Sequence, residues 1–282
     1  MKISVVIPSY KPGGYLWECL DSVYGQTLPS EQYEAVIVLN GCNEPYKSQI
    51  EEYISRHTDK CEIRLIQTDT PGVSNARNIG IENSRGEYLT FVDDDDIISE
   101  SYLEELLKVS DRSTVGCANS FAFQDNVSNL KNNFISDAYV RVSDKPFNLF
   151  EFRQFLSPPW CKLIHRDIIG RKRFSTKLRL SEDSLFCLEL TQSFKSMKLA
   201  SPDTIYFQRE RQGSAMRAKV CYRAEIKELC KIEIEYFKYW FSHPFSVNVK
   251  FMLSRIIAGF RNSIVKMRKN IKIGSIINRR GG

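Results

Sequence analysis

The sequence predicts an α/β fold, a mostly parallel central sheet flanked by helices, with a helical extension at its C-terminal end. Three observations carry this. Short apolar runs alternate four times with stretches of helical period between Ile3 and Val92, the pattern of parallel strands joined by right-handed helical crossovers. Each run is nearly continuous in apolar residues and ends in polar or turn-forming ones, as strands buried on both faces do. Beyond Glu235 the pattern is helical, with ten Lys or Arg and no Asp or Glu.

Ile3 to Ile7 (ISVVI) is the first strand, stopped by Pro8. The loop PSYKPGG leads into a helix with Leu16, Cys19, Leu20 and Val23 on one face. Ala35 to Leu39 is the second strand and ends in Asn40-Gly41-Cys42-Asn43; a helix bearing Tyr46, Ile50, Tyr53 and Ile54 follows. The third strand, Glu62 to Gln67, gives way to Pro71-Gly72 and a short helix, SNARNIGIENS. The fourth, Tyr88 to Val92, delivers four consecutive acids, Asp93 to Asp96.

Next comes a helix opening with Ser101 and Glu104 in capping-box spacing. Val115 to Phe123 reads as one further strand, and Gln124 to Phe155, with its polar DNVSNLKNN, as an insertion without clear period. The pair Pro158-Pro159 forces an extended entry to Trp160, whose ring is either core or a stacking surface for a sugar. Ser181, Glu182 and Asp183 open a helix with the stripe Phe186, Leu190, Phe194 and Met197. On spacing alone its acids are either ordinary helix-dipole chemistry or functional groups. After a last strand at Tyr206 to Gln208, Arg209 and Arg211 either grip an anion or are solvated.

In open α/β sheets ligands bind outside the strands' carboxyl ends, where the polar residues after each strand converge. Four carboxylates there repel one another unless a cation or hydrogen-bond donors offset them. A divalent cation that also bridges a diphosphate needs only one or two carboxylates; the alternative is a solvated acidic turn. Eight scattered cysteines and three distant histidines give no disulfide framework, zinc spacing or Ser-His-Asp triad. The net charge of +6 divides unevenly: with ten of the forty bases and none of the thirty-four acids after Glu235, the tail carries +10 and the rest −4. The acidic part does not suit a nucleic-acid backbone, whereas the tail suits anionic lipid. The N-terminal apolar run breaks at Pro8, too short for an export signal, and no stretch is long enough to span a bilayer, which predicts a cytoplasmic protein.

KISVVIPSY, the loop after the second strand, PGVSNARNIGIENSRGEYLTFVDDDD, WCKLIHRD and LSEDSLF, in this order and spacing over residues 2–214, resemble the inverting family 2 glycosyltransferases of GT-A (Rossmann-like) fold, most of all those of bacterial polysaccharide synthesis. The resemblance implies transfer from a nucleotide-sugar donor to a saccharide or lipid-linked saccharide acceptor. It implies a DXD motif at Asp93 and Asp95, with Asp93 at the ribose, Asp95 on Mg²⁺ or Mn²⁺, and Asp94 and Asp96 in the donor pocket. Pro8, Tyr10, Asn40 and Arg77 fall at nucleotide contacts, and Arg209 and Arg211 are diphosphate candidates. Asp183 is the implied base, with Glu182, Trp160 and Lys162 toward the acceptor. By the same resemblance residues 1–115 form the donor-binding half, 116–215 the acceptor and catalytic half, and 216–282 a basic helical extension.

One departure concerns the base-reading loop, where Leu39-Asn40-Gly41-Cys42 replaces the family's Asp-Asp-Gly-Ser. An asparagine carbonyl still accepts from a uracil N3–H, which keeps a UDP donor as the expectation. The competing functions are a sugar-nucleotide nucleotidyltransferase, against which PSYKPGG lacks a loop arginine, and an inactive partner subunit, against which Asp95 and Asp183 are both retained. In the tail, Val249, Leu253, Ile256, Phe260, Ile264 and Met267 make one apolar stripe, with Lys250, Arg255, Arg261, Lys266, Arg268 and Lys269 outside it. That is the pattern of an interfacial helix, which predicts an enzyme peripheral on the inner face of the cell membrane; the alternative is a helix packing this stripe on the catalytic domain.

Overall fold

The first strand outruns its predicted end. In the structure, a computed structural model describing residues 1–211, 222–243 and 248–261, β1 (Ile3–Ser9) continues through Pro8. The Val6 carbonyl accepts from Val92 N–H, so even-numbered residues of β1 face β4 (Tyr88–Phe91), and that pairing ends with Val6 opposite Phe91. Pro8 therefore lacks its N–H on the side where no ladder bond is needed, the position a strand tolerates.

Around β1 the crossovers are as predicted. After α1 (Tyr15–Tyr24) come β2 (Tyr33–Asn40), α2 (Tyr46–Ser55), β3 (Glu62–Thr68) and α3 (Val73–Asn83), and β1 lies between β2 and β4 with every pairing parallel. A two-residue β5 (Ile97–Ile98) and α4 (Tyr102–Val109) follow. The α4 start is not the predicted capping box. Ser101 makes no side-chain cap bond, and Glu104 accepts from Thr27 Oγ1 at 2.8 Å. A residue from the loop after α1 does the capping, Gln26 Oε1 accepting from Leu103 N–H at 2.9 Å.

The single strand expected over Val115 to Phe123 is two, β6 (Thr114–Cys117) and β7 (Asn119–Phe123), which part at Ala118 into different sheets. Ala118 N–H donates to the Cys161 carbonyl and Asn119 N–H to that of Thr204, so adjacent residues take partners at the entries of two different strands. The region read as an insertion holds β8 (Lys131–Asn132) and α5 (Phe134–Val142), the latter with a capping box between Asn133 and Ser136. Then come β9 (Lys162–His165), α6 (Arg166–Ile169), α7 (Glu182–Leu190), β10 (Ser196–Leu199) and β11 (Ile205–Arg209). The predicted α7 stripe overruns the helix: Phe194 lies in the loop after it and Met197 in β10, because Lys195 N–H is captured by the Ser113 carbonyl at the edge of β6.

The main sheet runs β10-β6-β9-β4-β1-β2-β3, antiparallel only where β9 meets β4 and β6. A smaller sheet, β5-β11-β7-β8, stands beside it. One apolar cluster joins both through Phe91, Leu163, Phe186 and Tyr206. The chain ends its described part in α8 (Tyr222–Ser242) and a helix over 249–261, α9.

Candidate active site

The carboxyl ends of β1, β2 and β4 and the start of α3 surround a cavity of about 520 Å³ lined by Pro8, Tyr10, Asn40, Arg77, Asp93, Asp94, Asp95 and Arg211. The loops that shape it are strained in known ways. Gly41 has φ +64, and a Cβ there would lie 2.5 Å from Pro71 Cβ, so only glycine lets the β2 loop close on the loop before α3.

Each acid of the 93–96 run has a different environment. Asp93 Oδ1 pairs with Arg77 Nη2 at 3.0 Å. Asp94 accepts from Ser9 Oγ at 2.6 Å, and burial with the charges of Asp95 and Asp93 pushes its pKa up to about 6. Asp95 Oδ2 meets Arg211 Nε at 2.5 Å; burial, then the charge of Asp93, raises its carboxyl above the usual range. Asp96 is 3 % exposed, accepts from Tyr206 Oη (2.6 Å) and Arg209 N–H (2.7 Å), and lies behind the cavity. The expectation that Asp96 lines the donor pocket is thus corrected: it braces the loop from below.

Among the described residues no three acidic, histidine or cysteine side chains are set to enclose an ion by themselves. Asp93 and Asp95 each commit one oxygen to an arginine. Two partly committed carboxylates, close enough to repel one another, fit a cation whose remaining ligands come from a diphosphate.

The arginines also part company. Arg211 lines the cavity, half-exposed. Arg209 does not: its guanidinium is buried between Tyr15 and Phe123, donating to Glu18 Oε2 at 2.7 Å and the Asp95 carbonyl at 2.9 Å. It is spent on the fold, which removes it from the diphosphate candidates. Asn40 lines the cavity but is committed at both ends, donating to the Ser9 carbonyl (2.7 Å) and accepting from Gly72 N–H (2.9 Å). It ties three loops together, so its carbonyl is not the free base reader the sequence suggests.

A second cavity, about 1450 Å³, opens beside the first and is lined by Trp160, Asp183, Ser184, Gln208 and residues of α9 among others. Ser181 takes a left-handed φ of 63 and makes no side-chain cap bond, and this sharp entry turns the first residues of α7 toward the site. Asp183 accepts from Ser184 N–H at 2.7 Å; burial raises its carboxyl while Arg77 pulls it back. Glu182 faces inward, 3.4 Å from Arg77 Nη1, and burial with the charge of Asp183 lifts it to about 7. Arg77 is thus the shared cation of Asp93 and Glu182, held over the Phe174 ring.

Two acceptor-side expectations need correction, Lys162 and Glu182, the latter because it points to Arg77 and not into this cavity. Lys162 is fully buried, its ammonium donating to the Pro158 and Trp160 carbonyls, so it fixes the Pro-Pro-Trp turn and reaches no ligand. Trp160 takes the core reading: its buried ring stacks on Tyr206 at 4.6 Å, and the residue also lines the cavity. Sequence reasoning missed Tyr206, whose hydroxyl donates to Asp96 and accepts from Asp93 N–H at 3.1 Å; Ser9, one of the polar residues that follow the strands, is delivered by the end of β1 to Asp94.

In the tail the packed face differs from the predicted stripe. Phe251, Met252 and Arg255 are buried, whereas Val249, Leu253 and Phe260 are exposed. Arg255, assigned to the solvated face, donates to Ser157 Oγ at 2.8 Å and lies over Phe251. Ile264, Met267, Lys266, Arg268 and Lys269 fall outside the described residues. No helix of the described residues is long and apolar enough to cross a membrane.

The profile described as Glycosyl transferase family 2 matches residues 4–176, more than half of the chain. The chain belongs to that family. As a family 2 glycosyltransferase it is 28 % identical over 226 residues to Glycosyltransferase GlyA of Streptococcus pneumoniae, covering 77 % of this chain and 32 % of that one. It is 28 % identical over 222 residues to the uncharacterized glycosyltransferase EpsJ of Bacillus subtilis, covering 75 % and 62 %. The chain therefore spans under two thirds of the length of these relatives. Its GT-A fold matches S. aureus TarS 1-349, solved with UDP-GlcNAc, at a TM-score of 0.67 with 23 % identity, covering 84 % of this chain and 66 % of that one. It also matches the mannosyltransferase PcManGT of Pyrobaculum calidifontis, solved with GDP-Man and Mn²⁺, at 0.64 with 13 % identity, covering 99 % and 79 %.

Proposed function

We propose that this chain transfers a sugar from a nucleotide-sugar donor, UDP-linked, to a hydroxyl of a saccharide or lipid-linked saccharide, with inversion and with Mg²⁺ or Mn²⁺, in surface-polymer synthesis. The observation that carries the reading is the pair of adjoining cavities, one with Asp93, Asp95 and Arg211, the other with Asp183, and Arg77 between them. The donor class is supported by TarS with UDP-GlcNAc and PcManGT with GDP-Man and Mn²⁺. The setting is supported by the minor teichoic acid biosynthesis protein GgaB of Bacillus subtilis, 29 % identical over 223 residues.

In this reading Asp95 and Asp93 hold the cation, which when bound neutralises charge on the leaving diphosphate. Arg211 adds a donor on the same side, and Tyr10 and Pro8 form the wall against the base. Asp183, on the other side, takes the acceptor hydroxyl's proton as it attacks; its raised carboxyl is the better base for work near neutral pH. A base opposite the leaving group gives in-line attack and inversion. Val249, Leu253 and Phe260, exposed beside the basic residues of α9, support contact with an anionic membrane surface, which co-sedimentation with anionic vesicles at low and high salt tests.

Thermal shift against UDP, GDP and dTDP with Mn²⁺, then release of nucleotide from a panel of nucleotide sugars, tests the transferase reading. Asp95→Ala is expected to abolish Mn²⁺-dependent UDP binding without unfolding the chain, since it removes a repelled charge. Wild-type affinity in that variant overturns the assignment.

A further inference from the structure

The two cavities carry opposite charge. The donor side has three carboxylates, Asp93 to Asp95, against Arg77 and Arg211. The larger cavity is lined by five cations, Lys145, Arg153, Lys250, Arg255 and Arg261, against Glu151 and Asp183. Glu151 is already answered by Lys145 at 3.7 Å. If Asp183 is the base, four cations remain around a cavity that a neutral saccharide hydroxyl would not require.

These are not the scattered charges of a solvated face. Arg255 is 7 % exposed; two of its nitrogens donate to the Ser157 hydroxyl and the Arg153 carbonyl, and its Nε is buried without a partner. Neither Arg153 nor Arg255 has a carboxylate within ion-pair distance among the described residues. Arg153 spends its Nη1 on the Phe150 carbonyl at 2.7 Å and lies over that ring at 4.3 Å. A buried guanidinium without a paired carboxylate is costly unless an anion arrives. Lys250 and Arg261, both exposed on α9, stand on the rim of the same space and are free to move onto a ligand.

Resting on the transferase reading, we infer that the acceptor carries a phosphate ester near its reacting hydroxyl, and that Lys250, Arg261 and Arg153, backed by Arg255, bind that phosphate in the larger cavity. Guanidinium and phosphate match in charge and fork geometry. The basic extension then acts as one wall of the acceptor site. Two sources supply this chemistry, a polyol phosphate or a lipid diphosphate, and the test separates them.

The full chain, alone and preloaded with UDP and Mn²⁺, is titrated calorimetrically with ribitol 5-phosphate against ribitol, and with a prenyl-diphosphate-linked N-acetylglucosamine in detergent against the corresponding octyl glycoside. At least one phosphate member is expected to bind about tenfold or more tighter than its neutral partner, with the advantage shrinking as salt rises from about 50 to about 300 mM. Preference within the first pair assigns a polyol phosphate, within the second a lipid diphosphate. Arg255→Gln should remove the preference; should that variant fail to fold, Lys250→Gln with Arg261→Gln, both exposed, reads the same loss. Equal affinities within both pairs, or a preference the variants leave unchanged, overturn the inference. A chain that binds phosphate but no nucleotide overturns the transferase reading instead, so the two failures are told apart.

Discussion

Replacing Arg77 by methionine removes the one cation that, among the described residues, touches both Asp93 and Glu182. Its guanidinium is 4 % exposed, 3.0 Å from Asp93 and 3.4 Å from Glu182. Breaking a buried ion pair from one side costs about 3–5 kcal/mol when the abandoned charge stays ionised. For a chain of this size each kcal/mol lowers the melting point by roughly 2–4 °C, so the loss at alkaline pH is on the order of 10 °C. Protonation relieves the cost. Glu182 titrates near 4.5 in the unfolded chain and at about 7 in the native one, because burial and then Asp183 disfavour its charge. The native state thus binds the extra proton, and stability falls as pH rises from about 4.5 toward 7. Arg77 lowers both Glu182 and Asp183, so its loss raises both and steepens that fall. Arg77→Met should melt only slightly below wild type near pH 5 and far below it near pH 8, and the acidic limb of the nucleotide-release profile should move to higher pH. A melting difference equal at both pH values, with an unmoved profile, refutes the idea that Arg77 sets the charge state of this pair.

Three further outcomes are expected. Asp183→Asn should keep UDP affinity and melting point while transfer drops ~10²–10⁴-fold; near-normal turnover returns Asp183 to ordinary helix-start chemistry worth only about 0.3–1 kcal/mol. Arg211→Gln should weaken UDP binding with little change in melting, whereas Arg209→Gln, which breaks the buried link to Glu18 and the Asp95 carbonyl, should lower the melting point first; the reverse split defeats the reassignment of these two. Glu233, buried between α8 and α9 with its carboxylate unpartnered among the described residues, is raised by burial to about 7, so it costs stability as pH rises from 4.5 through 7. Glu233→Gln should raise the melting point by a few degrees, about what 1 kcal/mol gives, near pH 8 and not near pH 5, read by calorimetry.

The donor half was legible because its information is local. A buried parallel strand writes itself as an apolar run, and Tyr88 to Val92 ending in Asp93 located the acids before any coordinates. What was not legible depends on partners distant in sequence. Nothing in Val115 to Phe123 says that Ala118 and Asn119 turn to Cys161 and Thr204, and Ser101 reads as a cap until Gln26 takes its place. The same holds for side chains: Arg209 and Arg211 look equivalent two residues apart, yet Arg209 is the last residue of β11 and packs inward on Glu18, whereas Arg211 lies past the strand end and is left at the cavity. Lys162 was misjudged because a lysine can end on carbonyls, as it does on Pro158 and Trp160. α5 did carry a signal, since Ile135, Ala138, Tyr139 and Val142 repeat at helical spacing behind Asn133 and Ser136.

Tyr206 belongs to both halves of the molecule. Its hydroxyl holds Asp93 and Asp96, and its ring carries Trp160. Anyone re-engineering the chain for a new acceptor inherits that linkage. Trimming Trp160 to enlarge the cavity removes the stack that seats Tyr206, and the disturbance passes into the aspartate loop, so donor use is degraded along with acceptor choice. Among the described residues the opposite wall, from Lys145 through Gln154 and along α9, makes no hydrogen bond or ion pair to that loop. It is the part of the scaffold that can be exchanged between enzymes as a cassette while the donor half stays as it is.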